Sequence, residues 1–110
     1  MDPRQERLVR NETLFREVNE RIEEVATYSA GSADHLFDFL CECSNADCTL
    51  LLHLTQPEYE RARSEPDVFV VALGHELPEI ERILARTERY QLVKKQGEAA
   101  EFAQQRDPRS

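Results

Sequence analysis

Apolar residues recur at helical spacing in the first quarter of the chain. The stripe consists of Leu8, Leu14, Phe15, Val18, Ile22, Val25 and Ala26. Charged residues such as Arg16 fill the other positions, so the pattern predicts a helix whose apolar side covers one face of a sheet. We expect the helix to begin near Arg4 or at an Asn11 cap and to end near residues 29–31, within a turn that extends to Asp34.

Alternation with a period of two follows that turn and predicts a strand over residues 35–43. One face of the strand would carry Phe37, Phe39, Cys41 and Cys43, and the other Asp38 and Glu42. Turn-forming residues occupy positions 44–47. Residues 49–54 are almost all apolar, which predicts a second strand buried on both faces. Because the connection is short, we expect an antiparallel hairpin with the cysteines at its tip.

The middle of the chain predicts a helix and then a buried strand. Thr55 and Glu58 match a capping box, in which each side chain bonds the backbone N–H of the other. The helix that starts there should end near Ser64, because the residue before Pro66 avoids helical geometry. Half of residues 68–73 are β-branched and all are apolar, which is typical of a central strand.

The last third of the chain predicts a helix, a strand and a second helix. Pro78 suits the first turn of a helix, and the apolar stripe of that helix would consist of Ile80, Ile83 and Leu84. Residues 90–95 predict an edge strand, because lysines protect edges from pairing. Residues 98–104 predict a short final helix on Ala99, Phe102 and Ala103.

These elements define an α+β fold in the order α-β-β-α-β-α-β-α, with a four-stranded sheet covered by helices. A length of 110 residues suits one domain. We expect residues 1–10 to form a flexible N-terminus, residues 11–104 the domain and residues 105–110 a tail.

Charge and hydropathy exclude two classes of partner. The formal net charge is −8, whereas nucleic acids and anionic membrane surfaces need a basic face. Lys94, Lys95 and the nearby arginines are expected to form a solvated surface patch. No apolar run approaches the ~20 residues of a membrane span, and the charged N-terminus lacks the apolar core of a signal peptide. We therefore expect a cytoplasmic protein without a nucleic-acid or membrane partner.

All three cysteines lie between positions 41 and 48. In a reducing compartment such a cluster predicts metal ligands or redox thiols rather than disulfides. Cys41 and Cys43 are two residues apart on a strand and point the same way, and the turn folds Cys48 back towards them. Zinc binds such thiolates at the corners of a tetrahedron, which needs a fourth donor.

His75 is the predicted fourth ligand. It follows the third predicted strand, directly behind Gly74, which permits an unusual backbone angle. His53 lies in the middle of a strand and is expected to be a core histidine, while His35 is expected to be solvated; both remain alternative donors. A closed set of three cysteines and one histidine is typical of structural zinc.

Several motifs resemble those of a family of short bacterial proteins that is common in actinobacteria. They are Phe39-x-Cys41-Glu42-Cys43, Cys48, Thr55-x-x-Glu58-Tyr59-Glu60-x-x-Arg63, Phe69-x-Val71-x-x-Gly74-His75, Val93-x-Lys95-x-Gly97-Glu98-Ala99 and Asp107-Pro108-Arg109. The resemblance extends over the chain from about Asn11 onward. It implies that Gly74-His75 belongs with the cysteines in one signature, and it implies no activity.

The favoured function is a small zinc-stabilised binding or regulatory module with a protein partner and no enzymatic activity. Two alternatives stay open. One is a redox sensor that releases zinc when its thiols oxidise. The other is a zinc hydrolase with an open coordination position and Glu42 or Glu76 as base. Tyr59, Arg63 and His75 are expected to lie together near the metal, and the heptad spacing of the first helix also permits a homodimer.

Overall fold

The computed structural model describes residues 1–28 and 33–109 as an α+β fold, which confirms the predicted class. Its elements are α1 (Pro3–Tyr28), β1 (Leu36–Leu40), β2 (Leu51–Thr55), α2 (Gln56–Ala62), β3 (Val68–Val71), β4 (Glu81–Arg86), β5 (Gln91–Lys95) and α3 (Gly97–Gln105). The described residues exclude the predicted end of the first helix at residues 29–31 and part of the turn that follows it. They also exclude Ser110.

The described strands form two antiparallel sheets, so the prediction of one four-stranded sheet is wrong. β1 and β2 form the predicted hairpin, and the other sheet has the order β3-β5-β4. The two sheets meet where the Glu42 amide donates to the Val70 carbonyl at 2.8 Å. This bond lies beyond the end of β1 at Leu40, so it does not join β1 and β3 into one sheet.

Residues 81–86 form a strand, so the helix predicted after Pro78 is wrong and the order becomes α-β-β-α-β-β-β-α. β4 pairs with β5 across a tight turn that is closed by a 2.9 Å backbone hydrogen bond. Ile83 and Leu84, which were predicted to form the buried stripe of a helix, are more than one third exposed. An isolated helix of this length is marginal in water, whereas pairing with β5 satisfies the backbone.

The positions of the other strands also differ from the prediction. β5 is central in its sheet although its lysines predicted an edge, and β3, predicted as central, lies at the edge of that sheet. Lys94 reaches the surface, but Lys95 is fully buried, so the predicted solvated basic patch is wrong at Lys95. In β2, Leu51 is exposed and Leu52 is buried, so one face of this strand is open to water.

Helix α1 turns a polar face inward, which reverses much of the predicted arrangement. Its buried residues are Val9, Glu12, Thr13, Arg16, Asn19, Glu23 and Ala26. Leu8 and Ile22 still pack partly against the core. By contrast, Leu14, Val18 and Val25 are about half exposed. Helical spacing alone therefore predicted only part of the buried face, because specific polar contacts also decide how α1 is oriented.

Arg16 is the largest of these buried polar residues, although it was predicted to lie on the solvated face. Its guanidinium donates to the carbonyl oxygens of Pro66, at 2.6 Å, and of Val68. It also lies 3.4 Å from the centre of the Phe69 ring, in a cation–π contact. Hydrogen bonds from a charged donor contribute about 1.5–3 kcal/mol each, so Arg16 attaches α1 firmly to the start of β3.

Lys95 joins α1 to the three-stranded sheet through a buried ion triad. Its ammonium donates to the carboxylates of Glu12 on α1 and Glu81 on β4, and all three side chains are fully buried. Removing such charges from water costs several kcal/mol per ion, which good pairing must offset. Burial and, secondarily, the Glu81 carboxylate raise the pKa of Glu12 to about 8, although Lys95 acts in the opposite direction.

The C-terminal segment that was predicted as a tail contacts the body of the protein as far as Arg109. Asp107 accepts a hydrogen bond from Arg63, which follows α2. Arg109 donates to Glu60 on α2 at 2.7 Å and to Glu20 on α1 at 2.9 Å. These ion pairs hold α1 and α2 together at the end of the chain.

Two local predictions about helices are confirmed. At the start of α2, Thr55 Oγ1 accepts from the Glu58 amide at 3.2 Å, and Glu58 Oε1 accepts from the Thr55 amide at 2.8 Å. The final helix also lies where the sequence predicts it, as α3. At the N-terminus, residues 3–10, which were predicted to be flexible, form the first turns of α1.

Replacing Lys95 by Met should lower the free energy of unfolding by about 3–5 kcal/mol, because two buried acidic side chains lose the ammonium that donates to both of them. Urea denaturation at neutral pH measures this change. Lys94→Met is the matched control, since Lys94 pairs with Glu65 at the surface and an exposed pair contributes at most about 1 kcal/mol. Equal losses in the two variants would contradict the buried triad.

The raised pKa of Glu12 predicts a stability that falls as the pH rises. The ordinary carboxyl value is 4.5 and the folded value is about 8, so unfolding releases a proton between these limits. The contribution of neutral Glu12 is complete below pH 4.5 and is lost as the pH rises through about 8. Glu12→Gln cannot ionise and should flatten this part of the curve. Urea denaturation of both proteins across this pH range measures the change. The assignment would be contradicted if the unfolding free energies of the two proteins had the same dependence on pH.

Candidate metal centre

Backbone hydrogen bonds shape the tip of the hairpin formed by β1 and β2. Just beyond β1, the Cys41 amide donates to the Leu50 carbonyl at 3.1 Å, which extends the pairing by one residue. In the loop, the Asn45 carbonyl accepts from the Cys48 amide at 3.0 Å. Asn45 Oδ1 also accepts from the Asp47 amide at 2.9 Å. The loop therefore turns back on itself and returns Cys48 towards the other two cysteines.

Two asparagines of α1 hold the hairpin from one side. Asn19 bonds both backbone groups of Leu40, accepting from its amide at 2.8 Å and donating to its carbonyl at 2.9 Å. One end of the loop is held by Asn11, whose side chain donates to the Ser44 carbonyl at 3.0 Å. The segment that carries Cys41 and Cys43 is therefore bonded to α1 on both of its flanks.

His75 approaches the hairpin tip from the end of β3. Its amide donates to the Ala72 carbonyl at 3.0 Å and closes a turn in which Gly74 has a φ of 82°. Side chains other than glycine rarely adopt this left-handed conformation. The unusual backbone angle predicted for Gly74 is thus confirmed, and the reversal of the chain aims His75 at the cysteines.

The four predicted ligands come together in one cluster. A donor atom from each of Cys41, Cys43, Cys48 and His75 lies within 4.8 Å of the other three. His75 Nδ1 lies 3.6 Å from Cys41 Sγ and 3.8 Å from Cys48 Sγ. Cys41 and Cys43 are buried, whereas Cys48 and His75 are partly exposed. Three sulfurs and one imidazole nitrogen in this arrangement could hold a metal ion.

The thiols of the cluster differ in acidity. A hydrogen bond from Cys41, with others from His75 and Cys48, lowers the pKa of Cys43 to about 5, although burial opposes the shift. The pKa of Cys41 is raised by its hydrogen bond with Cys43 and by burial. The Ala72 amide donates to Cys41 Sγ at 3.1 Å and favours its thiolate. Because the thiolate is the form that binds metals, one good ligand is already available near neutral pH.

Glu42, between two of the cysteines, is a buried residue that the alternating pattern placed on the opposite face of the strand from the cysteines. Its carboxylate accepts from the Asn19 side chain and the Tyr59 hydroxyl, both at 2.8 Å, and from the Val70 amide at 3.1 Å. These donors come from α1, α2 and β3. The sequence signal for this site was only a carboxylate between two cysteines, since its partners are far away along the chain.

The other histidines lie outside the cluster. His53 is exposed and pairs with Asp38 at 2.8 Å, so the prediction of a core histidine is wrong. It lies on the open face of β2. His35 is exposed as predicted, with its ring edge against Phe37. The geometry therefore selects His75 as the donor that accompanies the three thiols.

Tyr59 lies near the cysteines, as predicted, whereas Arg63 belongs to a different network. Tyr59 bonds Glu42 behind the cysteines. Arg63 is buried and bonds Glu20 and Asp107. Arg63 lies one turn beyond Tyr59, at the C-cap of α2, and therefore meets partners further from the cysteines.

Comparisons with models of protein families, with curated proteins and with solved structures found no match to this chain. Among the described helices, none is long and apolar enough to cross a bilayer. The description of the site therefore depends on its geometry.

Replacing Tyr59 by Phe removes one of the three hydrogen-bond donors to the buried Glu42 carboxylate, so it should cost about 1–3 kcal/mol of unfolding free energy. Tyr90→Phe is the matched control, because the Tyr90 hydroxyl bonds Glu58, which also pairs with Arg89 at the surface. We expect that variant to lose less than about 1 kcal/mol. Urea denaturation measures both values, and a loss for Tyr59→Phe no larger than that for Tyr90→Phe would argue against the buried network.

Proposed function

We propose that the protein is a small zinc-stabilised binding or regulatory module in which Cys41, Cys43, Cys48 and His75 bind one structural Zn²⁺. The observation that carries this proposal is the convergence of the four donor atoms within 4.8 Å. Thiolate sulfur and imidazole nitrogen are the ligands that zinc favours, and four of them complete a tetrahedron.

The spacing of the donors supports zinc in particular. Bond lengths of about 2.3 Å to sulfur and 2.0 Å to nitrogen put these atoms about 3.5 Å apart at the corners of a tetrahedron. The distances from His75 Nδ1 to the sulfurs of Cys41 and Cys48 are 3.6 and 3.8 Å. An ion could thus be bound with little rearrangement of the side chains.

The surroundings of the cluster support a structural role over a hydrolytic one. A hydrolase needs an open coordination position and a base beside it. Glu42 is turned away into hydrogen bonds with Asn19, Tyr59 and Val70, and Glu76 accepts from Gln91 at 3.1 Å. With both candidate bases engaged and four protein donors present, we infer a closed site without enzymatic activity.

Zinc would contribute a large share of the stability of this chain. Structural zinc gives apparent binding free energies of about 10–16 kcal/mol in small peptides, and a domain of this size has a net stability of about 5–15 kcal/mol. Such dependence suits a reducing compartment such as the cytoplasm, where thiols persist. A metal without catalytic partners would then stabilise the fold, and with it a surface that binds a protein partner.

Metal analysis of the purified protein tests the zinc site. We expect about one equivalent of zinc in the wild type and its loss in Cys43→Ser and His75→Ala, because each variant opens the closed set. His53→Ala is the matched control and should keep its zinc, since His53 lies outside the cluster. Thermal unfolding of Cys43→Ser and of chelator-treated wild type should occur at clearly lower temperature. Unchanged melting in both would rule out a structural metal.

A redox sensor is the second candidate, and the partial exposure of Cys48 favours it. Peroxide would oxidise two thiolates to a disulfide and thereby release the ion. Titration of free thiols with parallel metal analysis separates the two functions. A structural module keeps thiols and zinc at mild peroxide concentrations, whereas a sensor loses both together.

A further inference from the structure

An apolar groove lies at the end of the hairpin opposite the cysteines. Its volume is about 400 Å³. It is lined by Val18, Arg21, Ile22, Val25, Phe37 and Asp38. One wall is the outer face of α1 and the other is the beginning of β1. The groove exists because α1 directs its polar side chains into the core and leaves apolar ones outside.

The apolar surface continues along α1 beyond the groove. Leu14, Val18, Val25 and Tyr28 are 53%, 45%, 64% and 87% exposed. With Ile22 they follow one side of the helix at spacings of three and four residues. Continuous apolar patches of this kind on a soluble chain mark sites of interaction, and a groove beside a helix suits an amphipathic helix with anchors at matching intervals.

The charges around the groove indicate what kind of helix would bind. Asp38 lines the groove. Glu17 and Glu24 are exposed beside Arg21 in a neighbouring cleft of α1, whose other cation, Arg109, is already ion-paired. Neither Glu17 nor Glu24 forms an ion pair within residues 1–28 and 33–109, and Asp38 is paired with the exposed His53. The whole chain carries a formal net charge of −8. A second copy would bring one acidic border against another, whereas a basic partner would be attracted.

We propose that this groove binds a cationic amphipathic helix of a partner protein. Its apolar residues would pack against Val18, Ile22, Val25 and Phe37, and its Lys or Arg residues would face Glu17, Glu24 and Asp38. This inference rests on the proposed function as a binding module and names the chemistry of the partner.

The metal cluster would stabilise the walls of this groove from a distance. Asn11 and Asn19 bond α1 to the hairpin at Ser44 and Leu40, next to the cysteines. An ion that fixes the hairpin tip therefore also fixes β1 against α1, and Phe37 is part of β1. Removal of the metal should loosen the groove and weaken binding of the helix.

Fluorescence anisotropy with a labelled helical peptide of Leu and Lys, and with a matched peptide in which Glu replaces Lys, tests the proposal on the zinc-loaded protein. We expect the Lys peptide to bind and the Glu peptide to bind at least about tenfold more weakly. Val18→Ser combined with Val25→Ser should weaken Lys-peptide binding by about tenfold or more. Arg21→Glu should strengthen it at low salt and lose this advantage at high salt.

Leu84→Ser is the matched control, because Leu84 is 43% exposed on β4, away from the groove. It should leave binding unchanged, and metal analysis of each sample shows whether the zinc site is intact. Equal binding of both peptides, or no effect of the valine or arginine variants, would overturn the docking proposal. If zinc is retained in these samples, the proposed function as a zinc-stabilised module still stands. A dimer in analytical ultracentrifugation that the double valine variant dissociates would show that a second copy covers the groove instead.

Discussion

Buried polar groups need partners, and this requirement determines how α1 lies on the rest of the molecule. Arg16 reaches carbonyl groups at the start of β3, Asn19 binds both the hairpin and Glu42, and Glu12 meets Lys95 in the other sheet. These contacts are directional, so they define one orientation of the helix more strictly than an aliphatic stripe would. The apolar side of α1 is left outside as a consequence.

The cysteine cluster and the polar network behind it form one structural unit. Cys41 and Cys43 flank Glu42, whose carboxylate is held by groups from α1, α2 and β3. Cys48 and His75 complete the cluster from the loop and from the turn after β3. A metal ion there would join the two sheets at the point where their backbones already meet, so one small site would stabilise contacts throughout the fold.

Features that depend on neighbouring residues could mostly be predicted from the sequence, and most features that depend on distant partners could not. The cluster of His75 with the three cysteines is the exception, because its residue types indicate a shared site. The capping box at Thr55, the loop after Cys43 and the reversal at Gly74 are local, and all three were predicted. The strand that follows Pro78 was missed because its pairing depends on β5. The inward face of α1 was missed because periodicity assumes that apolar residues are buried, whereas the partners of Arg16 lie at the start of β3.

The pairing of Glu12 with Lys95 has a consequence for the order in which the chain folds during synthesis. These residues are 83 positions apart, so α1 leaves the ribosome long before its counter-charge is synthesised. Asn19 and Arg16 can meet their partners at Leu40 and at residues 66–68 earlier in synthesis, but Glu12 cannot meet Lys95. The buried triad of Glu12, Lys95 and Glu81 can therefore form only after the last strand has been synthesised.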